Sequence, residues 1–178
     1  MAHQPGKLGK ITVGKEAVGI KIILKEMDKT EIKGKVITVD QPAYILYSGF
    51  SDMRNFVRNL PEDKREGVTA TEDTIEGEVK GFRMGLQIAE RNPFSSVVYT
   101  QYGQSPFPFR IKVFFEATDV AKTDFHIEIE AELTFMIKMM LGNKLQEAVD
   151  RLTDQLGLAF AGKISPADFD LNDITRYN

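Results

Sequence analysis

The strictest hydrophobic pattern in the chain is DFHIEIEAEL, residues 124–133. Phe125, Ile127, Ile129, Ala131 and Leu133 fall on one face, and Asp124, His126, Glu128, Glu130 and Glu132 on the other. A period of two with one dry and one wet face belongs to an antiparallel strand, so the pattern predicts one uninterrupted strand over 123–133. FRIKVFFEA repeats it, with Phe109, Ile111, Val113 and Phe115 inward. Arg110 and Lys112 then face the acidic row across the strands. FRMGLQIAER puts Phe82, Met84, Leu86 and Ile88 on one face, against Arg83, Gln87 and Glu90. SSVVYTQYG is a further strand, while GVTATED and TIEGEVKG form a pair with a turn near Glu72 and Asp73. RNPF, QSPFP and DVAKTD supply the remaining turns.

At Leu133–Phe135 the period changes from two to 3.6. Phe135, Met139, Leu145, Leu152 and Leu156, with Ala148, Val149 and Phe160, make a helical stripe. The helix is expected to exceed about 20 residues and to run to about 25, roughly 37 Å, with Gly142 and Gly157 as interruptions. Its first turns are unusually crowded: Phe135, Met136, Met139, Met140 and Leu141 lie within seven residues. A simple core helix spreads such residues more evenly.

Ahead of the strands, TEIKGKVITV (30–39) reads as one strand and DQPAYILYSGFSDMRNFVRNLP as two short helices. Asp40 is the expected cap of the first, with Pro42 in its first turn; Ser51 or Asp52 caps the second, which carries Met53, Phe56 and Val57. Pro61 ends it. Residues 1–29 are rich in Gly and Lys, with the apolar bursts KITV and VGIKIIL and a weak hairpin signal at Gly14-Lys15. They read as an appendage, and 162–178 as a polar tail.

Composition then removes function classes. Net charge is −3, which gives no support to nucleic-acid binding. There is no cysteine, so disulfides, thiolate zinc sites and cysteine nucleophiles are out. Only two histidines occur, one of them His3 in the leading segment, which argues against a histidine metal site. No apolar run of about 18 residues is present, so stable membrane insertion is not expected. No secretory pattern opens the chain, and cytoplasmic is the default. GKLGKITVGK lacks the spacing of a phosphate loop. His126 and the row Glu128, Glu130 and Glu132 read as a solvated face, not as a catalyst or a cation shell. Glu90 and Asp119 also read as external. Asp52 and Arg54 are polar anchors or a cap. Tyr99 and Gln101 are the better polar candidates for an interior site, with Tyr44, Tyr47 and Tyr102 in reach. A buried tyrosine hydroxyl needs a partner, and a ligand can supply one.

Residues 30–161 read in the order strand, helix pair, six-strand meander, long helix. VITVDQPAYILYSGFSDMRNFVRNLP resembles the opening strand and helix pair of the START/Bet v 1-like superfamily, also called the SRPBCC or polyketide cyclase-like group. SSVVYTQYG, PFPFRIKVFFEA and KTDFHIEIEAEL resemble its last three strands, and MIKMMLGNKLQEAVDRLTDQL its C-terminal helix. The resemblance implies an α+β helix-grip fold: a curved antiparallel sheet wrapped around a long C-terminal helix, with a hydrophobic cavity between them. It implies a cavity lined by Phe82, Met84, Tyr99, Gln101, Phe109, Ile111 and Phe125 from the sheet. Met53 and Phe56 would close one mouth, and Met136, Met139 and Met140 would form the wall at the helix start. Methionine is flexible and polarisable, and suits irregular apolar space. The function implied is binding of a hydrophobic small molecule (a lipid, isoprenoid or aromatic metabolite) without a cofactor. An aromatase/cyclase-type enzyme using the same cavity, of the polyketide cyclase/dehydrase kind, and a protein–protein adaptor related to chaperone co-factors are the alternatives. A homodimer is allowed.

Overall fold

A computed structural model of the chain describes residues 27–165 and 168, apart from 59, 80 and 106. The Gly14-Lys15 hairpin signal and most of the tail lie outside the described residues. The fold opens with β1 (Met27–Lys33) and β2 (Ile37–Val39). Three short helices follow: α1 (Ala43–Phe50), α2 (Arg54–Arg58) and α3 (Glu62–Arg65). A meander comes next: β3 (Thr69–Ala70), β4 (Thr74–Val79), β5 (Phe82–Asn92), β6 (Ser96–Gly103), β7 (Phe109–Asp119) and β8 (Lys122–Thr134). Two helices close it, α4 (Phe135–Leu141) and α5 (Lys144–Phe160). The strands form one curved antiparallel sheet in the order β1-β8-β7-β6-β5-β4-β3, with β2 also on β8.

β8 is unbroken from Lys122 to Thr134, as its alternation requires. Its wet face meets the expected cations. Lys112 contacts Glu130, Lys29 lies 3.5 Å from Glu130, and Lys33 lies 3.2 Å from Glu128. His126 stacks on Phe114 at 4.7 Å and lies 3.3 Å from Glu128, on the outer face. The lysine pairs from β1 are largely exposed at the lysine end, and they fix partner choice across the ladder more than they add stability.

The expected strand over 30–39 is two strands. Lys33 pairs with Glu128 and Ile37 with Phe125, so the first strand carries one residue more than β8 over this interval. That is a β-bulge, and Gly34 sits in it. A Cβ on Gly34 would stand 2.7 Å from Val149 Cγ1, 3.0 Å from the Ile127 carbonyl oxygen and 3.3 Å from Thr153 Oγ1. Only glycine leaves room for α5 to rest on the backbone here. Lys35 reinforces the seat, its N–H donating to Asp150 at 2.9 Å and its Nζ to Asp154 at 2.5 Å.

The helix pair also differs in detail. Pro42, not Asp40, is the N-cap of α1, and α1 starts at Ala43 with no side-chain cap. Asp52 does turn its carboxylate onto the Arg54 N–H at 2.9 Å, at the start of α2. Pro61 caps the one-turn α3.

The C-terminal helix is likewise divided. α4 has seven residues and is capped by Thr134 Oγ1, which accepts from the Ile137 N–H at 3.4 Å. It stops at Gly142, whose φ of +48° a side-chain-bearing residue rarely adopts. α5 then runs 17 residues, with Leu145, Val149, Leu152, Leu156 and Phe160 toward the sheet. The single helix of 20 residues or more expected from the stripe is therefore two helices. Gly142 resets the direction, and the stripe proper belongs to α5.

The core lies between α1, α5 and the inner sheet face. Phe50, Phe115, Phe125 and Phe160 form a cluster with ring centroids 5.5–6.0 Å apart. Val97, Val113, Ile127 and Met53 are fully covered beside it.

Candidate functional site

The inner rows of the meander are set by register. Ile111 faces Ile129 and Tyr99, Phe109 faces Ala131, and Leu86 faces Gln101 and Ile75. Ile88 pairs with Tyr99 and Met84 with Gly103. Along β6 and β7 cover falls from one end to the other, while on β8 it lapses at Ile129 and returns at Ala131 and Leu133. On β7, Phe115 and Val113 are buried, whereas Ile111 and Phe109 are half-buried. On β6, Val97 and Tyr99 are buried and Gln101 is half-buried. On β5, Ile88, Leu86 and Met84 are all half-buried. The inner residues of β5, with Gln101 of β6 and Ile111 and Phe109 of β7, are therefore left partly uncovered. Ile129 of β8 and Leu145 of α5 are half-buried as well.

Met84, Gln101, Phe109 and Ile111 lie on the neighbouring strands β5, β6 and β7 and are all half-buried. Phe82 opens β5, but its side chain is outside the described set. Tyr99 and Phe125 lie deeper, as packed floor. The Tyr99 hydroxyl donates to the Phe50 carbonyl at 2.6 Å, and burial pushes the phenol above its ordinary range. The free polar handle expected of it is already committed to the backbone. Gln101 Oε1 accepts from the Phe109 N–H at 3.1 Å, which ties β6 to β7 at the rim. Met53 is 1% exposed and belongs to the packed core, so it closes no mouth. Phe56 stands at the surface with its ring edge-on to Phe50 at 5.7 Å and to Tyr99 at 6.5 Å.

The methionines require a correction. Met136, Met139 and Met140 are 76%, 70% and 76% exposed, and Phe135 is 66% exposed. They do not form the wall of an enclosed space. Because α4 ends at Gly142, it does not share the course of α5, and only Ile137, Lys138 and Leu141 on it are part-covered. Helical spacing defines which residues share a side; it does not say whether anything covers that side.

Two features had little sequence signal. The first is a bulge between Ile88 and Glu90. Past it the strand's faces exchange, so Arg91 pairs with the inward Val97 and sends its guanidinium to the Ser51 carbonyl at 3.0 Å and to Asp73 at 2.7 Å. The second is a half-open groove of about 880 Å³ on the far flank of α5. It is lined by β2 residues with Asp40, Asp154, Gly157, Leu158 and Lys163 among its walls. The inner rows of β5–β8 hold two titratable side chains among the described residues, Tyr99 and Arg91, and both are bonded to backbone carbonyls. Among the described residues no cluster of three His, Asp or Glu stands where it could hold a metal ion, and no helix is long and apolar enough to cross a membrane.

No family model matches the chain, and no curated protein matches its sequence. Solved structures match its shape. Norcoclaurine synthase from Thalictrum flavum aligns with a TM-score of 0.53 at 9% identity, over 79% of this chain and 87% of that one. A START superfamily protein from Mycobacterium smegmatis aligns at 0.51 and 11% identity, over 75% and 99%. Aha1 from Colwellia psychrerythraea, solved as a dimer, aligns at 0.53 and 14% identity, over 75% and 98%.

Proposed function

We propose that this chain, which has the START/Bet v 1-like helix-grip fold, binds a hydrophobic small molecule in the recess at the open end of its sheet. The observation that carries the reading is the incomplete cover of the apolar inner residues of β5 and of one end of β7. Met84, Leu86, Ile88, Phe109 and Ile111 are apolar, point inward and remain half-exposed. A fold in water gains stability by covering such residues, and a row left uncovered beside a finished core is the mark of a ligand surface. Gln101 is the polar group at the rim. Its oxygen is engaged by Phe109 N–H, so its amide nitrogen is the end that can address a hydroxyl or carbonyl on the ligand. A lipid, isoprenoid or aromatic metabolite with one polar group fits this lining.

The composition of the inner rows favours holding over chemistry. A cyclase guides proton transfers with acids and bases placed at the reacting chain. Tyr99 and Arg91, the titratable residues of these rows, are both engaged with backbone carbonyls instead. The cytoplasmic assignment belongs to the same proposal.

The test is titration with an apolar fluorophore. Wild type is expected to bind it with 1:1 stoichiometry. Leu86→Trp, which fills the recess, should weaken binding by at least about tenfold, equivalent to about 1.4 kcal/mol. Leu158→Trp, on the groove beside β2, should leave binding unchanged. The reverse ranking would move the site to that groove and sink the proposal. Native mass spectrometry of protein purified from a cell extract would then identify the class of any retained molecule.

A further inference from the structure

The edge of a sheet is a row of backbone groups without a strand to meet them, and β1 and β2 together form one edge here. Two hydrogen bonds decide which of their groups turn outward. The Gly34 N–H donates to the Ile127 carbonyl at 2.8 Å, and the Glu132 N–H to the Pro108 carbonyl at 3.0 Å. Backbone groups alternate sides along a strand, so the odd residues of β8 serve β1 and β2, and the even ones serve β7. Ile37 faces Phe125 and Val39 faces Thr123, so both spend their backbone groups on β8. Thr38 lies between them and turns its N–H and C=O away from the sheet. α5 covers the neighbouring stretch of the edge. Gln146 Nε2 donates to the Lys33 carbonyl at 2.8 Å, and Asp150 accepts from the Lys35 N–H at 2.9 Å. Asp154, one turn on, takes the Lys35 Nζ. These three residues share one line on the helix at a spacing of four. The next member of the line is Leu158, which has no polar group to offer and is exposed. Among the described residues β2 pairs with β8 alone, and nothing meets the outward groups of Thr38.

We infer that this edge docks an extended peptide segment of a partner protein, which pairs with Thr38 as an added strand and lies in the groove between β2 and α5. The groove, about 880 Å³, is walled on one side by the consecutive residues 37–41. Side chains of a strand alternate between faces, so consecutive residues share a space that runs along the strand's edge and not over one face. Gly157 lets α5 form the opposite wall close by, since a Cβ there would stand 2.7 Å from Ile37 Cδ1. An N–H and a C=O on one residue, side by side and facing out, match the backbone of another strand. Leu158 supplies apolar contact for an alternate side chain of that strand. Asp40 lines the groove with an exposed carboxylate, 3.8 Å from Lys122, which favours a basic residue on the partner. The β1 half of the edge makes the contrast. By the same alternation Lys29, Glu31 and Lys33 turn their backbone outward, and all three are charged, which is a guard against added strands. Thr38 carries no such guard. This inference is independent of the ligand reading, since the groove lies outside the sheet edge and not over the inner rows.

Amide hydrogen exchange, followed residue by residue by NMR on the full chain, reads the edge directly. In the free protein the Thr38 amide is expected to exchange at least about tenfold faster than those of Ile37 and Val39. The probe is an acetylated, amidated heptapeptide in which valine alternates with threonine between terminal lysines. Its addition should slow Thr38 exchange. Its affinity should fall at least about fivefold for Thr38→Pro, which removes the outward donor. Proline is accepted where a strand's N–H faces solvent, so this variant should fold, with urea unfolding as the check. Thr38→Val keeps the N–H and loses only the hydroxyl's bond to Asp124 at 2.6 Å, and should bind within about twofold of wild type. The same heptapeptide N-methylated at alternate residues cannot pair and should not bind, which keeps the test sharp even if Thr38→Pro fails to fold. Unchanged Thr38 exchange with the heptapeptide overturns the proposal, as does equal binding of the N-methylated peptide. Slow Thr38 exchange in the free protein at every concentration assigns the edge to this chain itself and overturns it. Slow exchange that sets in as protein concentration rises overturns it in favour of a second copy.

Discussion

At one end of the sheet's inner face, Phe125 touches Phe50, Phe115 and Phe160, and none of its surface is left to solvent. Four residues further along β8, Ile129 sits in the same row with the same chemistry and is only partly covered. The strand, the alternation and the residue class are alike; what differs is the roof. α1 and the end of α5 close over the first end, and Phe50 and Phe160 come from them. Beside Ile129 the cover is thinner: Leu145 and Leu152 of α5 pack against the core but are half-covered, although Val149 between them and Ala131 and Leu133 further along β8 are buried. The difference teaches that one sheet face can be finished core in one place and partly covered surface in another, divided by where the helices run. It also predicts different responses to mutation.

The largest effect should come from the closed end. Phe125→Ala removes a ring from a region with no room to relax, and urea unfolding should report a loss of about 3–5 kcal/mol. Next is the seat of the helix. Gly34→Ala would press a methyl against Val149, the Ile127 carbonyl and Thr153, and should cost about 1–3 kcal/mol through overpacking. An equal loss for Gly34→Ala and Gly49→Ala would show that the close approach is not its cause, since a Cβ at Gly49 meets nothing within 4 Å. Third comes the open end. Leu86→Ala should cost about 1–2 kcal/mol, below the usual range for a packed leucine, because a half-covered side chain has fewer partners to lose. If Leu86→Ala matches Phe125→Ala, the two ends are one core and the comparison fails.

The smallest effect lies on the outer face and is one of pH. Lys112, helped by Lys29, holds the Glu130 carboxyl below its ordinary value of 4.5. A carboxyl lowered by folding stabilises the native state at neutral pH, and the contribution is lost as pH falls through the lowered value. Melting temperature followed from pH 7 down through about pH 4.5 and below should therefore drop less steeply in Glu130→Gln than in wild type. A steeper drop would mean that the pair does not do this in the folded state.

Much of the fold was legible because single residues carried it. The ten residues 124–133 alternate without error, and β8 follows them with both faces as read. Arg110 and Lys112 were expected opposite the acidic row, and the register pairs them with Glu130 and Glu128. The misreadings share a cause, which is dependence on a partner distant in sequence. Nothing local in KGKV says that Gly34 must clear Val149 and Thr153. Nothing in QIAER marks the bulge that turns Arg91 inward. Tyr99 reads as a free hydroxyl until the Phe50 carbonyl is brought to it. The methionine run gave a correct apolar signal and an incorrect surrounding, because α4 ends at Gly142 and the apolar stripe belongs to the next helix.

The pairing of β1 with β8 also has a consequence for the order of assembly. Met27 finds its partner, Thr134, about a hundred residues downstream. At synthesis rates of about 5–20 residues per second, the first strand spends roughly 5–20 s without its mate. Closing so long a loop late makes folding slow relative to proteins of local topology. During that interval an unmated strand is a template for the wrong chain, and charge along it is a known guard. β1 reads MDKTEIK, with a charged side chain at four of its seven positions, among them Lys29 and Lys33, which later reach Glu130 and Glu128. The same lysines that keep the nascent strand solitary become, once β8 emerges, the clasps that close the sheet.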